Sequence, residues 1–317
     1  MNVSLPRIGY LGPPGTFTEQ ALDSQEEFAA APRISYRTVP DVLDAVQAGE
    51  IDLGLVPIEN SIEGTVNFTQ DALAFDYDLF IQREVVLDIR HALLAAPEIP
   101  LTDIHNVVSI PVATAQCHVW LRRALRTARI QPASSTADAA QTVAQHTAAG
   151  DTSWAAIAPR HAAARYGLAV LEDDIADHET NQTRFVMVGR GAIPAPSGHD
   201  RTAIVVYQRA DEPGSLISIL QEFAARRINL SQVTSRPTKR GGLGDYCFII
   251  YAEGHISDEL LADALRALRA KQAMVKFLGS YPAAGAHADS AREHADARWK
   301  EADDWITALR NRVVREP

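Results

Sequence analysis

The sequence predicts an α/β protein in two folded parts, a long one built in two lobes and a short one with βαββαβ order. Three observations lead to that class. Short apolar runs of strand length alternate with amphipathic stretches of helix length from residue 7 to about residue 188. Polar residues gather where such runs end, the place at which open α/β sheets bind ligands. Residues 192–198 contain Pro194 and Pro196, and beyond them the order of elements changes.

The 317 residues are 46% hydrophobic and 22% charged, which allows two or three cores. No apolar run is long enough to cross a bilayer, so no membrane partner is expected. Residues 1–12 lack the basic-then-apolar pattern of a secretory signal. Cys117 and Cys247 are the only cysteines and fall in different parts, which suits a reduced, cytoplasmic setting. A net charge of −10 argues against nucleic acid as a partner. It also means that an anionic substrate must be met by local donors.

Residues 7–11 read as a buried strand. Gly12-Pro13-Pro14-Gly15 turns the chain, and Thr16-Phe17-Thr18-Glu19 has the spacing of a capping box, so a helix follows to about residue 31. Its free N–H groups form an anion seat over the glycine turn. Residues 34–39 are the next strand. Asp41 caps a helix over residues 42–48, and Gly49 closes it. Residues 53–58 form a third strand, ending in the polar run Glu59-Asn60-Ser61-Ile62-Glu63-Gly64-Thr65. The pattern over residues 79–97 suits long strands that cross to a second lobe. A strand at 107–110, a helix at 113–127, a Thr136-capped helix at 138–148 and a strand at 155–159 continue the βα rhythm. Lobe 1 thus takes residues 1–78 and 180–191, and lobe 2 residues 79–179.

After a linker at 192–200, residues 202–207 form a strand and Pro213-Gly214 opens a helix to about residue 227. Strands at 229–235 and 246–252 flank a Gly241-Gly242 loop. A helix at 257–270 and a strand at 274–281 complete a ferredoxin-like βαββαβ order over 201–282. The tail, 283–317, is rich in Ala and charge, with Trp299, Trp305 and Leu309 on one helical face. It reads as a solvated or partner-packed helix.

Just before the last strand-like run of the long part stands Asn181-Gln182-Thr183-Arg184-Phe185. A hydroxyl, a guanidinium and an aromatic ring there can hand over a proton, bind an anion and stack on a ring. A loop Thr can equally cap its own backbone.

That stretch, together with Gly12-Pro13-Pro14-Gly15-Thr16-Phe17-Thr18, Pro57-Ile58-Glu59-Asn60-Ser61 with Glu63-Gly64, and Ala155-Ala156-Ile157-Ala158, resembles the prephenate dehydratase family. The C-terminal unit resembles the ACT domain, through Pro213-Gly214-Ser215-Leu216, Ile228-Asn229-Leu230-Ser231 and Ser235-Arg236-Pro237. The likeness runs from about residue 7 to residue 281. It implies a two-lobed, periplasmic-binding-protein-like catalytic domain over 1–191 and a regulatory ACT domain over 201–282. The implied activity is that of a hydro-lyase turning prephenate into phenylpyruvate in L-phenylalanine biosynthesis, with no cofactor and no metal. L-Phenylalanine is the implied allosteric effector, bound where ACT units pair in a homodimer or homotetramer.

The sequence departs from the family pattern at three places. Ser-His-Pro-Gln is replaced by Ser109-Ile110-Pro111-Val112, ahead of Ala115-Gln116-Cys117, so no histidine transfers a proton there. Glu-Ser-Arg-Pro becomes Thr234-Ser235-Arg236-Pro237, and Gly-Ala-Leu becomes Gly214-Ser215-Leu216.

Prephenate is a dianion with a ring hydroxyl, and losing carbon dioxide and water makes an aromatic ring. The enzyme must hold the dianion, protonate the departing hydroxyl and align the departing carboxylate. The resemblance gives the proton to Thr183. Thr16, Asn60, Ser61, Thr65, Arg184 and Phe185 are the expected substrate contacts. Two roles are open to Arg184, a bidentate carboxylate clamp or a tie between strands. Phe185 packs on the substrate ring or in the core, and Asn60 binds a carboxylate or forms a turn. Glu59 and Glu63 sit badly beside a dianion, so at least one is expected to pair with a protein donor. Gly214, Ser215, Leu216, Asn229, Leu230, Ser235 and Arg236 are the expected effector contacts.

Two other readings stay open. Gly9, Gly12 and Gly15 follow a strand and precede a helix, as in an NAD(P)-dependent dehydrogenase; the glycine spacing is wrong, Pro13 and Pro14 remove donors and no acid ends the second strand, but Arg37 could meet a 2′-phosphate. A cleft plus an ACT unit would also serve a non-catalytic amino-acid sensor.

Overall fold

The computed structural model describes residues 5–178, 180–191, 193–208, 212–238, 245–272, 274–284 and 304–312. By contacts the chain forms two units, Met1–Ala72 with Val85–Arg190, and Leu73–Glu84 with Gly191–Pro317.

The first unit begins β1 (Ile8–Leu11), α1 (Phe17–Asp23), β2 (Arg33–Tyr36), α2 (Val39–Ala48), β3 (Leu53–Asn60), β4 (Gly64–Thr65) and α3 (Asn67–Asp71). Strand β5 (Phe80–Asp88), in which the division between the units falls, leads to β6 (His91–Ala95), β7 (Asn106–Ser109), α4 (Pro111–Gln116) and α5 (His118–Ala124). Then come β8 (Arg129–Pro132), α6 (Thr136–Ala148), β9 (Trp154–Pro159), α7 (His161–Tyr166), β10 (Ala169–Glu172) and β11 (Gln182–Gly189). One sheet has the order β2-β1-β3-β11-β5, with β4 on β3; the other has β10-β6-β9-β7-β8. β1 is parallel to β2 and β3, whereas β11 returns antiparallel to β3. Each sheet is the floor of its own lobe; β5 and β11 belong to the first one, so residues 80–88 pair in the first lobe's sheet and not in the second lobe, where the sequence pattern put them.

The sheets form where β-branched and aliphatic runs can be buried. In the first lobe Ile8, Leu55, Val85 and Met187 pack with Leu22 of α1 in a dry core. Gly54 of β3 has a packing reason: a Cβ there would lie 2.7 Å from Val42 and 2.8 Å from Val46, both on α2. In the second lobe the small residues of the Ala-rich strand β9 let α6 seat Ala139, Ala140 and Val143 against Ala156 and Ala158.

Several helix limits differ from the sequence-based expectation. α1 stops at Asp23, where the Ser24 hydroxyl returns to the Ala21 carbonyl at 2.7 Å, and a single 3-10 turn at Glu26–Phe28 follows. α2 is capped by Thr38, and Asp41 is its partner in a reciprocal capping box. The expected helix over 113–127 breaks into α4 and α5 at buried Cys117, where the Asp177 carboxylate takes the N–H groups of Val119 and Trp120 at 2.8 and 3.1 Å. Ser135, not Thr136, caps α6.

The second unit contains β12 (Asp200–Tyr207), α8 (Ser215–Ala224), β13 (Leu230–Pro237), β14 (Tyr246–Glu253), α9 (Glu259–Lys271) and β15 (Met274–Pro282). Its sheet runs β13-β14-β12-β15, antiparallel throughout, which is the expected ferredoxin-like arrangement. Ile204, Val206, Phe248 and Ile250 meet Ile219, Phe223, Leu261 and Leu268 of the two helices. The segment 73–84 is held within this unit: Lys276 Nζ donates to the carbonyls of Leu73, Ala74 and Tyr77 at 2.8, 3.2 and 2.7 Å, and Glu84 pairs with Arg201 in a largely buried ion pair. Residues 304–310 are helical with Trp305 and Leu309 exposed; Trp299 and the Gly241-Gly242 loop lie outside the described residues. Among the described residues no helix is long and apolar enough to cross a membrane.

Candidate active site

The site begins with the pairing of β11 on β3. Thr183 lies opposite Asn60 and Arg184 opposite Glu59; the register then shifts, leaving Ile58 as an extra residue, so that Phe185 faces Pro57. Alternation along β11 puts Thr183 and Phe185 on one face and Arg184 on the other. Thr183, Phe185, Pro57 and Asn60 all line one cavity of about 390 Å³.

Asn60 is the hub. Its Oδ1 accepts the backbone N–H groups of Ile62 and Glu63, both at 3.0 Å, which can only donate, so the direction of the amide is fixed. Its Nδ2 therefore donates, to Asn181 Oδ1 at 2.8 Å and to Thr183 Oγ1 at 2.9 Å. A lone pair of the Thr183 oxygen is thus taken by a donor, and the hydroxyl hydrogen is left to point elsewhere.

A second constraint enters from the other lobe. Glu63 accepts from Gln116 Nε2 at 3.2 Å, which turns the Gln116 carbonyl toward Asn181 Nδ2 and His91 Nε2, each at 3.0 Å. His91 then carries its hydrogen on Nε2. Burial lowers its pKa and keeps the ring neutral, against smaller opposing effects of the Gln116 bond and the Asp174 charge. Phe17 meets that ring edge-on, with centroids 5.4 Å apart.

The cavity lies between the lobes of the first unit. Leu11, Gly12, Thr16, Phe17, Thr18, Arg37, Glu63 and Val66 complete its wall on the first lobe. Ile110, Val112, Ala113, Gln116, Ser134, Ser135 and Thr136 face them from the second, with Ile89 and His91 where the chain crosses. The wall is largely apolar, and Ile110 and Val112 of the departed Ser-His-Pro-Gln pattern contribute to that.

Of the expected contacts, the structure brings Thr16, Asn60, Thr183 and Phe185 to the cavity. Three others lie outside its wall. The Ser61 hydroxyl accepts the Gln182 N–H at 2.9 Å, Thr65 sits on β4 paired with Glu59, and Arg184 Nη1 donates to Glu59 at 2.7 Å. That ion pair ties β11 to β3, one of the two roles open to Arg184. The anion seat over the glycine turn is filled by the protein itself, since the Glu19 carboxylate accepts the Gly15 N–H at 2.6 Å and the Tyr10 hydroxyl at 3.1 Å. Residue-by-residue reading did not bring Arg37, His91 or Ser134-Ser135-Thr136 to this cavity: Arg37 was read only as a partner for a 2′-phosphate and Thr136 only as a helix cap; Gln116 was visible only within Ala-Gln-Cys.

In the second unit a cavity of about 350 Å³ is lined by Glu212, Pro213, Gly214, Ser215, Ser218, Lys271 and Gln272. Gly214 opens α8 with φ +88°, a conformation that favours glycine. Leu216 packs against the unit's core, Asn229 donates to Glu253 at 2.8 Å, and Leu230, Ser235 and Arg236 lie on the edge strand β13, so these five stand outside that wall. Among the described residues no group of three or more His, Cys, Asp or Glu side chains is placed to hold a metal ion.

A model of the prephenate dehydratase family matches residues 8–192, and an ACT domain model matches residues 202–270. The chain is 41% identical over 314 residues to the prephenate dehydratase of Mycobacterium tuberculosis, covering 96% of this chain and 94% of that protein. The crystal structure of the Arthrobacter aurescens prephenate dehydratase in complex with L-Phe superimposes with a TM-score of 0.87 at 40% identity, covering 96% of this chain and 99% of that one. A protein described as a novel type of quorum-quenching acylase, GqqA, follows at TM-score 0.78 and 27% identity, covering 88% and 98%.

Proposed function

The chain belongs to the prephenate dehydratase family, and we infer from this that it catalyses the decarboxylating dehydration of prephenate to phenylpyruvate under feedback control by L-phenylalanine. The observation that supports the catalytic reading best is the bond from Asn60 to Thr183 in the wall of a cavity between two lobes. With its oxygen accepting from Asn60, the Thr183 hydroxyl keeps its own hydrogen to give, and we assign the ring hydroxyl of a bound substrate as the acceptor.

The reaction follows from that arrangement. The ring C–O bond breaks as the oxygen takes the Thr183 proton and leaves as water. The bond to the ring carboxylate breaks at the same time, its electron pair completing the aromatic ring as carbon dioxide departs. Solvent returns a proton to Thr183. Because aromatisation lies far downhill, a weak acid held in place suffices, a contribution on the order of 10²–10⁴-fold. Thr16 and Phe185, with Asn60 behind Thr183, are the substrate-side residues of this reading. An acylase chemistry would need a base on the hydroxyl; the partner of Thr183 here is an amide donor, which accepts no proton.

We assign residues 1–191 to catalysis, 192–200 to the linker and 201–282 to regulation, with the effector at the Gly214–Ser215 turn. A homodimer or homotetramer in the cytoplasm completes the proposal. Mixing purified protein with prephenate and following phenylpyruvate, with and without L-phenylalanine, tests it: turnover suppressed by the amino acid is expected, and no turnover would refute it.

A further inference from the structure

Resting on this reading, we propose that Arg37 is the substrate's anion clamp, and that it grips the pyruvyl carboxylate, which survives the reaction. The net charge of the chain is −10, so a dianion needs a local cation. Among the described residues, Arg37 is the one Arg or Lys in the wall of the active-site cavity. It stands in the turn after β2 and is exposed. No hydrogen bond or ion pair within the described residues engages its guanidinium. Neighbouring arginines are committed: Arg33 to Asp23, Arg184 to Glu59 and Arg165 to Glu19.

The chemistry says which carboxylate it takes. The ring carboxylate loses its charge as carbon dioxide forms, so a cation on it would hold the ground state more tightly than the transition state. A clamp on the pyruvyl carboxylate binds both states alike and costs the rate nothing. The ring carboxylate is left to the apolar wall that includes Ile110 and Val112.

Arg37→Met tests this. KM for prephenate is expected to rise on the order of 10–100-fold, the worth of a charge-assisted bidentate pair, with kcat nearly unchanged. Inhibition by the product phenylpyruvate, which keeps the pyruvyl carboxylate, weakens by a similar factor. Arg37→Lys falls between, since it keeps the charge and loses the fork. Arg33→Gln removes an equal charge outside the cavity and leaves KM unchanged. A KM within twofold of wild type in Arg37→Met, a loss confined to kcat, or unaltered product inhibition would overturn the clamp. Calorimetric binding of prephenate in a Thr183→Ala background gives a readout without turnover, so the clamp can fail or stand apart from the lyase reading.

Discussion

The Asn60 side-chain amide donates to the Thr183 hydroxyl oxygen across the β3–β11 pair at 2.9 Å, so that the hydroxyl accepts there and keeps its own hydrogen to give elsewhere. If Thr183 is the acid, removing the hydroxyl costs rate and not affinity. Thr183→Ala is expected to lower kcat on the order of 10²–10⁴-fold with KM within a few-fold of wild type. Thr183→Ser keeps the donor and retains much of the rate. Steady-state kinetics on the three proteins checks this, and an alanine variant at wild-type rate would remove the hydroxyl from the mechanism.

Asn60→Asp changes the direction of that bond with almost no change of shape. One carboxylate oxygen still accepts from Ile62 and Glu63, but the other now faces Thr183 Oγ1 and Asn181 Oδ1 as an acceptor. Thr183 then donates to that carboxylate, and its proton is withheld from substrate. A fall in kcat on the order of 10²-fold is expected, with little change in KM. Circular dichroism separates this from unfolding. Retained kcat in a folded Asn60→Asp protein would show that hydroxyl direction does not matter.

Much of this was legible in the sequence, and the gaps have physical causes. Short apolar runs bounded by Gly, Pro and polar turns are a local signal, so the βα rhythm and the βαββαβ unit could be read directly. Thr183, Asn60, Phe185 and Thr16 lie in or beside such signals. The fate of Arg184 was also within reach, since alternation along a strand places it on the face opposite to Thr183 and Phe185. Arg37 could be read only as a partner for a 2′-phosphate, because nothing near it in the chain tells that its turn folds over this cavity. The break at Cys117 was hidden likewise, because the carboxylate that caps α5 comes from Asp177, 58 positions from Val119.

Stability should decline in mild acid because two histidines, His91 buried and His161 half-buried, are held as neutral rings. Desolvation lowers the pKa of His91, opposed by the Gln116 bond and Asp174, and that of His161, opposed by Glu19 and Asp23 and aided by Arg165. A depressed folded-state pKa means that the unfolded chain binds more protons below the ordinary value of about 6.5. The stabilisation from each neutral ring is therefore full above that pH and is lost as pH falls through the folded pKa. Denaturant midpoints at pH 7.5 and 5.5 should show the lower value at pH 5.5. His91→Gln, which can still donate to the Gln116 carbonyl, should narrow the difference, and an unchanged difference would assign the acid sensitivity elsewhere.

Gly279 and Gly150 separate two costs that positive φ usually mixes. Gly150 has φ +87°, and an added Cβ would meet nothing within 4 Å, so Gly150→Ala bears conformational strain alone, about 1–2 kcal/mol. Gly279 has φ +145°, and a Cβ there would stand 2.5 Å from the Ile81 carbonyl oxygen and 2.9 Å from its nitrogen. Those are backbone atoms of β5, which cannot swing aside as a side-chain tip would. Gly279→Ala adds overpacking to strain and should cost on the order of 3 kcal/mol or more. Urea unfolding of both variants decides it. Equal losses would mean that β5 yields freely where β15 passes it at Ile81, and that the glycine is there for its φ angle alone.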